Sequence, residues 1–176
     1  MTALDKAFVR PEAGEISKRS FAGYLLLDAL IGNTDRHHEN WGLLRRRTSA
    51  GWSGYLAPSF DHASSLGREL QDERREILLS ENRVGVYVNR GRGGIFWSEN
   101  ERRGPSPLEL VRLAVREYPV LFQTSMGWLD KVNEDSLREI VDRVPEDWMS
   151  LSARIFSAEQ MCYNLIELNK LRRVFK

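Results

Sequence analysis

Apolar side chains recur along residues 15–30 at Ile16, Phe21, Tyr24, Leu25, Leu27, Ala29 and Leu30, which predicts a helix with a broad apolar face and with Ser17 or Ser20 near its start. Gly32 is expected to end it, since glycine tolerates the left-handed backbone that closes a helix. Two short strand candidates follow, Trp41-Gly42-Leu43-Leu44 and Tyr55-Leu56-Ala57-Pro58, and the polar stretch through Thr48-Ser49-Ala50-Gly51 suits a hairpin between them. Residues 68–79 form a charged helix candidate with too few apolar positions for a central element, so it is placed at the periphery. Val84-Gly85-Val86-Tyr87-Val88 alternates weakly and leads into the turn-rich Gly91-Arg92-Gly93-Gly94. That glycine cluster lacks both the dinucleotide-type glycine spacing and the lysine of a phosphate loop, which favours a flexible turn over a nucleotide cradle.

The last third reads as helical. Gly104-Pro105-Ser106-Pro107 is a candidate internal break, after which residues 108–118 carry Leu110, Val111, Ala114, Val115 and Tyr118 at helical spacing up to Pro119. Asn133 or Asp135 is expected to cap a helix that turns Leu137, Ile140, Val141 and Val144 inward and stops before Pro145. From about Ser150 a longer helix carries an apolar stripe of Ile155, Ala158, Met161, Cys162, Leu165 and Leu168, with Lys170, Arg172 and Arg173 suited to its C-terminal end. The pattern predicts a mostly helical α+β fold with one small hairpin, in a single domain covering 1–176.

Composition narrows the picture in three ways. With 41% hydrophobic and 29% charged residues the chain is globular, and its formal charge of +1 gives no bias toward nucleic acid or an acidic membrane. No stretch approaches the roughly 18 apolar residues of a membrane span, and Met-Thr-Ala-Leu-Asp-Lys does not begin like a signal peptide, so a soluble cytoplasmic protein is expected. Cys162 is the only cysteine, which excludes an intrachain disulfide and suggests a buried thiol in a reducing compartment. Arg45-Arg46-Arg47 reads either as a phosphate grip or as solvated surface.

The candidate chemistry lies where the first helix releases the chain, at Asn33-Thr34-Asp35-Arg36-His37-His38-Glu39-Asn40. An aspartate and an asparagine five positions apart are the spacing of a kinase catalytic loop, where the aspartate accepts the proton of the attacking hydroxyl and the asparagine holds magnesium. A second metal-binding carboxylate is then needed, and Asp61 of Ser59-Phe60-Asp61 follows the hairpin candidate that would return it beside Asn40. Asp35 is read as the catalytic group, with Asn40 and Asp61 as ligands of Mg2+ and, through it, ATP. Taken singly, Asp35 and Asn40 also suit ordinary turn caps. Arg36 is expected to form a structural salt bridge, with a carboxylate such as Asp61, or to contact phosphate; His37 is expected to support the loop by hydrogen bonds to its backbone. His38 and His62 read as exposed spectators, and Ser64 and Ser65 as caps of the next helix.

The run from Ala29 through Gly42, with Leu56-Ala57-Pro58-Ser59-Phe60-Asp61, resembles the C-terminal kinase lobe of HipA-type proteins, the serine/threonine kinase toxins of bacterial toxin–antitoxin systems and their relatives. The Asp-Arg-His-x-x-Asn core is also similar to the catalytic loop of phosphoinositide kinases. The resemblance covers residues 21–67 and continues more weakly from Arg143 through Ser150 to the last helix. It implies the same roles for Asp35, Asn40 and Asp61, a protein serine or threonine as substrate, and a fold equivalent to a kinase C-lobe. Only about 30 residues precede the loop, and Lys6 and Lys18 are the only lysines there, so most of an N-terminal lobe and its nucleotide lysine are expected to be missing. Three readings of that missing lobe stay open: a truncated reading frame, a C-lobe retained for binding alone, or a lobe supplied by a partner, a separate N-lobe or antitoxin chain. Two other classes stay open: a non-catalytic partner-binding remnant or antitoxin-like decoy, and a metal-dependent hydrolase built on Asp35, His37, His38, Asp61 and His62.

Overall fold

Helix α1, Pro11–Ile31, is the element on which the others are assembled. Pro11 occupies its first turn, where a missing N–H costs nothing, so the helix begins ahead of the expected serines. Ser17 is instead buried within it, and Ser20 donates to the Ile16 carbonyl at 3.0 Å. Gly32 ends the helix in the left-handed conformation, φ 66°, with its N–H donating to the Asp28 carbonyl. The computed structural model describes residues 7, 8 and 10–175, so Lys6 and the N-terminal stretch read as unlike a signal peptide lie outside the described residues.

Strands β1, Leu43–Thr48, and β2, Gly51–Leu56, form a two-stranded antiparallel hairpin that pairs Leu43 with Leu56 and Thr48 with Gly51. It is longer than the two apolar runs suggested, because the arginine stretch between them is itself β1. Arg45 lies 4.9 Å from the Trp52 ring centre, and all three arginines are exposed, as the surface reading expects.

Helices α2, Asp72–Ser80, and α3, Val84–Arg90, come next. The weakly alternating segment is therefore helical; Val84 and Val88 are its buried residues, one turn apart. Helices α4, Pro107–Glu117, and α5, Pro119–Trp128, are joined at Tyr118, so Pro119 both stops one helix and starts the next, which the apolar pattern alone did not reveal. After a 3-10 turn, Leu129–Lys131, come α6, Glu134–Asp142, and α7, Leu151–Leu171. Ser106, Asn133 and Ser150 cap α4, α6 and α7 through their side-chain oxygens, and Asn133 and Ser136 form a reciprocal capping box.

The core lies where α1 meets α4, α5 and α7. Ala22, Leu25, Leu26 and Ala29 meet Leu108, Val111 and Val115 of α4, Phe122 and Met126 of α5, and Met161, Cys162, Leu165 and Leu168 of α7 in one continuous cluster. Each fully buried large side chain such as Phe122 or Leu168 contributes about 1.5–3 kcal/mol. Leu137 and Val141 point inward as expected, whereas Ile140 and Ile155 are 58% and 43% exposed, because the buried stripes of α6 and α7 are narrower than the sequence pattern. The fold is mostly helical α+β with a single small antiparallel sheet.

A Cβ at position 32 would lie 2.0 Å from Nε2 of the buried Gln160, in a backbone conformation that disfavours side chains. Gly32→Ala is expected to lower unfolding stability by about 2–4 kcal/mol in urea denaturation. Gly42→Ala, where an added Cβ meets nothing within 4 Å, should change it by less than about 0.5 kcal/mol.

Candidate active site

The loop after α1 is organised by one buried arginine. Arg36 is 3% exposed and all five of its N–H donors are engaged. Nε donates to Oδ2 of Asp28 at 2.7 Å and Nη2 to Oδ1 at 2.9 Å, a bidentate pair with a carboxylate that is itself 3% exposed. The second Nη2 hydrogen reaches Oγ of Ser59 at 2.8 Å, and Nη1 donates to the carbonyls of Asn40 and, at 3.1 Å, Phe60. Arg36 thus forms the structural salt bridge expected of it, but its partner is Asp28 and not Asp61.

That network fixes the places of the three predicted site residues. Asp35 immediately precedes Arg36, Asn40 offers its carbonyl to the guanidinium, and Asp61 immediately follows Phe60, which does the same. The hairpin and a second seam hold the return segment in register: Ala57 N–H donates to the Gly42 carbonyl at 2.8 Å, Thr34 N–H to Ser64 at 3.2 Å, and Leu66 N–H to Ile31 at 3.0 Å. Tyr24 on α1 donates to the Ala57 carbonyl at 2.9 Å; burial pushes its hydroxyl pKa up, partly opposed by the Arg36 charge.

The oxygens the chemistry needs are left free. Asn40 is buried and donates Nδ2 to the Asp35 carbonyl at 2.7 Å, and among the described residues no donor is bonded to its Oδ1. The Asp35 side chain is 54% exposed, with Nε2 of the His37 ring 4.0 Å away. Asp61 is exposed, carries no ion pair among the described residues, and holds φ 54°, a left-handed backbone uncommon outside glycine and asparagine-like residues. An amide oxygen and a carboxylate, both without internal partners, fit a hard cation that keeps some waters and takes its remaining ligands from phosphates. Among the described residues no three His, Cys, Asp or Glu side chains converge on one point, so the five-residue hydrolase set finds no support in the geometry.

The neighbouring residues divide into supports and spectators. His37 accepts the Glu39 N–H at Nδ1, 3.2 Å, and its carbonyl accepts from Asn40 at 3.1 Å, so it props the loop as expected. His62 is not a spectator: its Nε2 lies 2.8 Å from the same Ser59 Oγ that meets Arg36. His38 remains exposed. Ser64 and Ser65 do not cap α2, whose N-cap position is Gln71; Ser64 contributes its carbonyl to the seam with Thr34. The glycine cluster is neither a free turn nor a cradle. A Cβ on Gly94 would lie 3.0 Å from the Arg36 carbonyl, and one on Gly91 3.6 Å from Thr34 Cγ2, so the missing side chains let the segment lie against the back of the loop.

Two functional supports went unread in the sequence, Asp28 and Asn33. Asn33 is 1% exposed and bridges Asp28 Oδ1 at 2.8 Å and the Asp35 N–H at 3.1 Å. Asp28 carries a usable signal: an acid inside the apolar run Leu25, Leu26, Leu27, Ala29, in the last turn of a helix where the dipole disfavours negative charge, must have a cationic partner.

The fold is shared with a kinase. Over 99% of its length the chain matches the crystal structure of the Helicobacter pylori proinflammatory kinase CtkA, with a TM-score of 0.73 at 20% identity. It covers 58% of that chain. In sequence it is similar to the serine/threonine-protein kinase CtkA of Helicobacter pylori strain J99, 36% identical over 73 residues that make up 42% of this chain and 21% of that protein. No protein-family model matches. The chain thus spans only part of the length of the kinases it resembles.

Removing either partner of the Asp28–Arg36 pair strands the other charge in the core. Asp28→Ala and Arg36→Ala are each expected to cost about 3–5 kcal/mol, and the double variant less than the sum of the two by at least about 0.5 kcal/mol, read by chemical denaturation.

Proposed function

We propose that this chain is the C-lobe of a HipA-like serine/threonine kinase and that its loop pair carries ATP- and magnesium-dependent phosphoryl transfer to a protein hydroxyl. The observation that carries this reading is that Asp35, Asn40 and Asp61, whose side-chain oxygens accept no hydrogen bond among the described residues, stand on two segments tied together by one fully bonded arginine, in a fold shared with a kinase. Asp35, solvent-facing on a fixed loop, accepts the proton as the serine or threonine oxygen forms its bond to the γ-phosphorus and ADP departs. Oδ1 of Asn40 and the Asp61 carboxylate would hold Mg2+, whose chemistry there would be to neutralise charge on the ATP phosphates. Arg36 takes no part in the chemistry. Its role is to keep the two loops at a fixed separation, which is most of what phosphoryl transfer asks of a protein.

A kinase also needs a loop over the phosphates and a lysine on them. Among the described residues Lys18 is the only lysine ahead of the loop, and it lies on α1 beside Glu15, 2.5 Å away. The reading therefore assigns those elements to an N-lobe, on the same polypeptide or on a separate N-lobe or antitoxin chain acting as partner, in the cytoplasm. No helix among the described residues is long and apolar enough to cross a membrane.

Transfer from ATP to protein is to be measured for the full chain, alone and with the polypeptides encoded beside it. Asp35→Ala should lower the rate by about 100-fold or more and Asp61→Ala by a comparable factor, with chelation of magnesium abolishing it. Transfer indifferent to both substitutions would sink the assignment. No transfer under any condition, with no magnesium-dependent nucleotide binding, would leave a non-catalytic partner-binding module.

A further inference from the structure

Beside the loop, on the Thr34 side, opens a cavity of about 610 Å³ that the chemistry above does not use. Its walls bring together Thr34 of the loop, Ser64 of the return segment, Arg68, and Arg90 and Arg92 at the end of α3, with Gln160 of α7 at its base. Arg68, Arg90 and Arg92 are all exposed, and among the described residues none of them pairs with a carboxylate. Eight other arginines do have one among the described residues, Arg75, Arg83, Arg112, Arg138 and Arg172 among them. The one acid in the wall, Glu69, is engaged by the Tyr87 hydroxyl, whose pKa burial and that acid both push up. Three guanidiniums thus share one occupied carboxylate, in a protein whose net charge is only +1.

Gln160 supplies an independent observation. It is 1% exposed, and among the described residues its Oε1 has no hydrogen-bond partner. A buried carbonyl left unpaired is costly, and it accepts a hydrogen bond from an N–H brought by a ligand. A ligand that answers both features carries anionic oxygens for the arginines and an N–H donor for Gln160. An acidic peptide has both.

We propose that this cavity binds an acidic segment of the protein substrate, with a peptide N–H on Oε1 of Gln160 and a carboxylate or phosphorylated side chain on Arg68, Arg90 and Arg92. The inference rests on the kinase reading for its purpose and deepens it. Because Thr34 in the cavity wall adjoins Asp35, a peptide seated there delivers its serine or threonine to the catalytic carboxylate from a position a few residues away. The specificity assigned is for hydroxyls flanked by acidic residues.

The test uses the full chain and fluorescent serine-containing peptides of equal length bearing glutamate, phosphoserine or glutamine beside the serine, followed by anisotropy. The glutamate or phosphoserine peptide should bind at least about tenfold tighter than the glutamine peptide, an advantage that falls with rising salt. The relative strength of those two tells a carboxylate site from a phosphate site. Arg68→Ala with Arg90→Ala should erase the advantage, and Arg116→Ala, at an exposed arginine outside the cavity wall, should leave it intact. Equal binding of all three peptides, an advantage untouched by the arginine substitutions, or a short RNA oligonucleotide that displaces the acidic peptide more effectively than unlabelled peptide does, would overturn the proposal. Binding of acidic peptides without phosphoryl transfer would retain this site while removing the kinase reading; transfer without acidic preference would do the reverse.

Discussion

A guanidinium with every donor engaged at the end of a buried helix is the constraint on which the active-site region depends. Arg36 joins three pieces of chain that no continuous secondary structure connects: the last turn of α1 through Asp28, the loop through the Asn40 carbonyl, and the return segment through Ser59 and Phe60. A buried ion pair is seldom the most stable way to fill such a volume, since desolvating both charges offsets much of their attraction, and an apolar pair of equal size often does as well. What an apolar pair cannot do is specify direction. The planar fork admits two carbonyls, a hydroxyl and a carboxylate only at fixed angles, and so it sets the relative positions of the two loops that carry Asp35, Asn40 and Asp61.

The same logic explains why those oxygens stay free. Loop polar groups in a folded protein are normally absorbed by local turns and caps. Here the absorbing is done by neighbours: Asn33 takes the Asp35 N–H, His37 takes those of Glu39 and Asn40, and Nδ2 of Asn40 closes on the Asp35 carbonyl. The loop backbone is thereby satisfied without either carboxylate. Asp61 adds a left-handed backbone, a local cost of about 1–3 kcal/mol that the hairpin and the seam to Ile31 and Thr34 hold in place. Behind the loop, Gly91 and Gly94 provide a close-fitting backing, so the site rests on packed chain on one side and on α1 on the other.

How far the sequence speaks depends on whether a feature is local. The end of α1 at Gly32, the cap at Asn133 and, Tyr118 and Ile155 excepted, the buried faces of α4 and α7 follow from short-range spacing and turn chemistry and appear as expected. The placement of Asp35, Asn40 and Asp61 on two adjoining loops was also legible, because a hairpin is a local device that returns the chain to its starting point. The partner of Arg36 was not, since Asp61 and Asp28 are both acids within reach in sequence and only the packing of α1 decides between them. Helix α3 and the roles of Gly91 and Gly94 were hidden for a related reason: a glycine-rich, weakly patterned segment takes its conformation from what it lies against, here Thr34, Arg36 and Ser106.

Two exposed carboxylates on adjoining loops create a field that repels the anions a phosphoryl-transfer site must receive, namely a polyphosphate and, on the present reading, an acidic protein segment. On the proposed kinase reading, magnesium held by Asn40 and Asp61 would answer the first repulsion at the site itself. It would do nothing for a peptide approaching from the side of Thr34. Arg68, Arg90 and Arg92 lie on that side, without carboxylate partners among the described residues, and so supply attraction where the metal does not. Positive charge is thus segregated by role. The one buried arginine of the site is fully neutralised and serves as scaffold, while the exposed arginines of the neighbouring cavity keep their charge available to a partner.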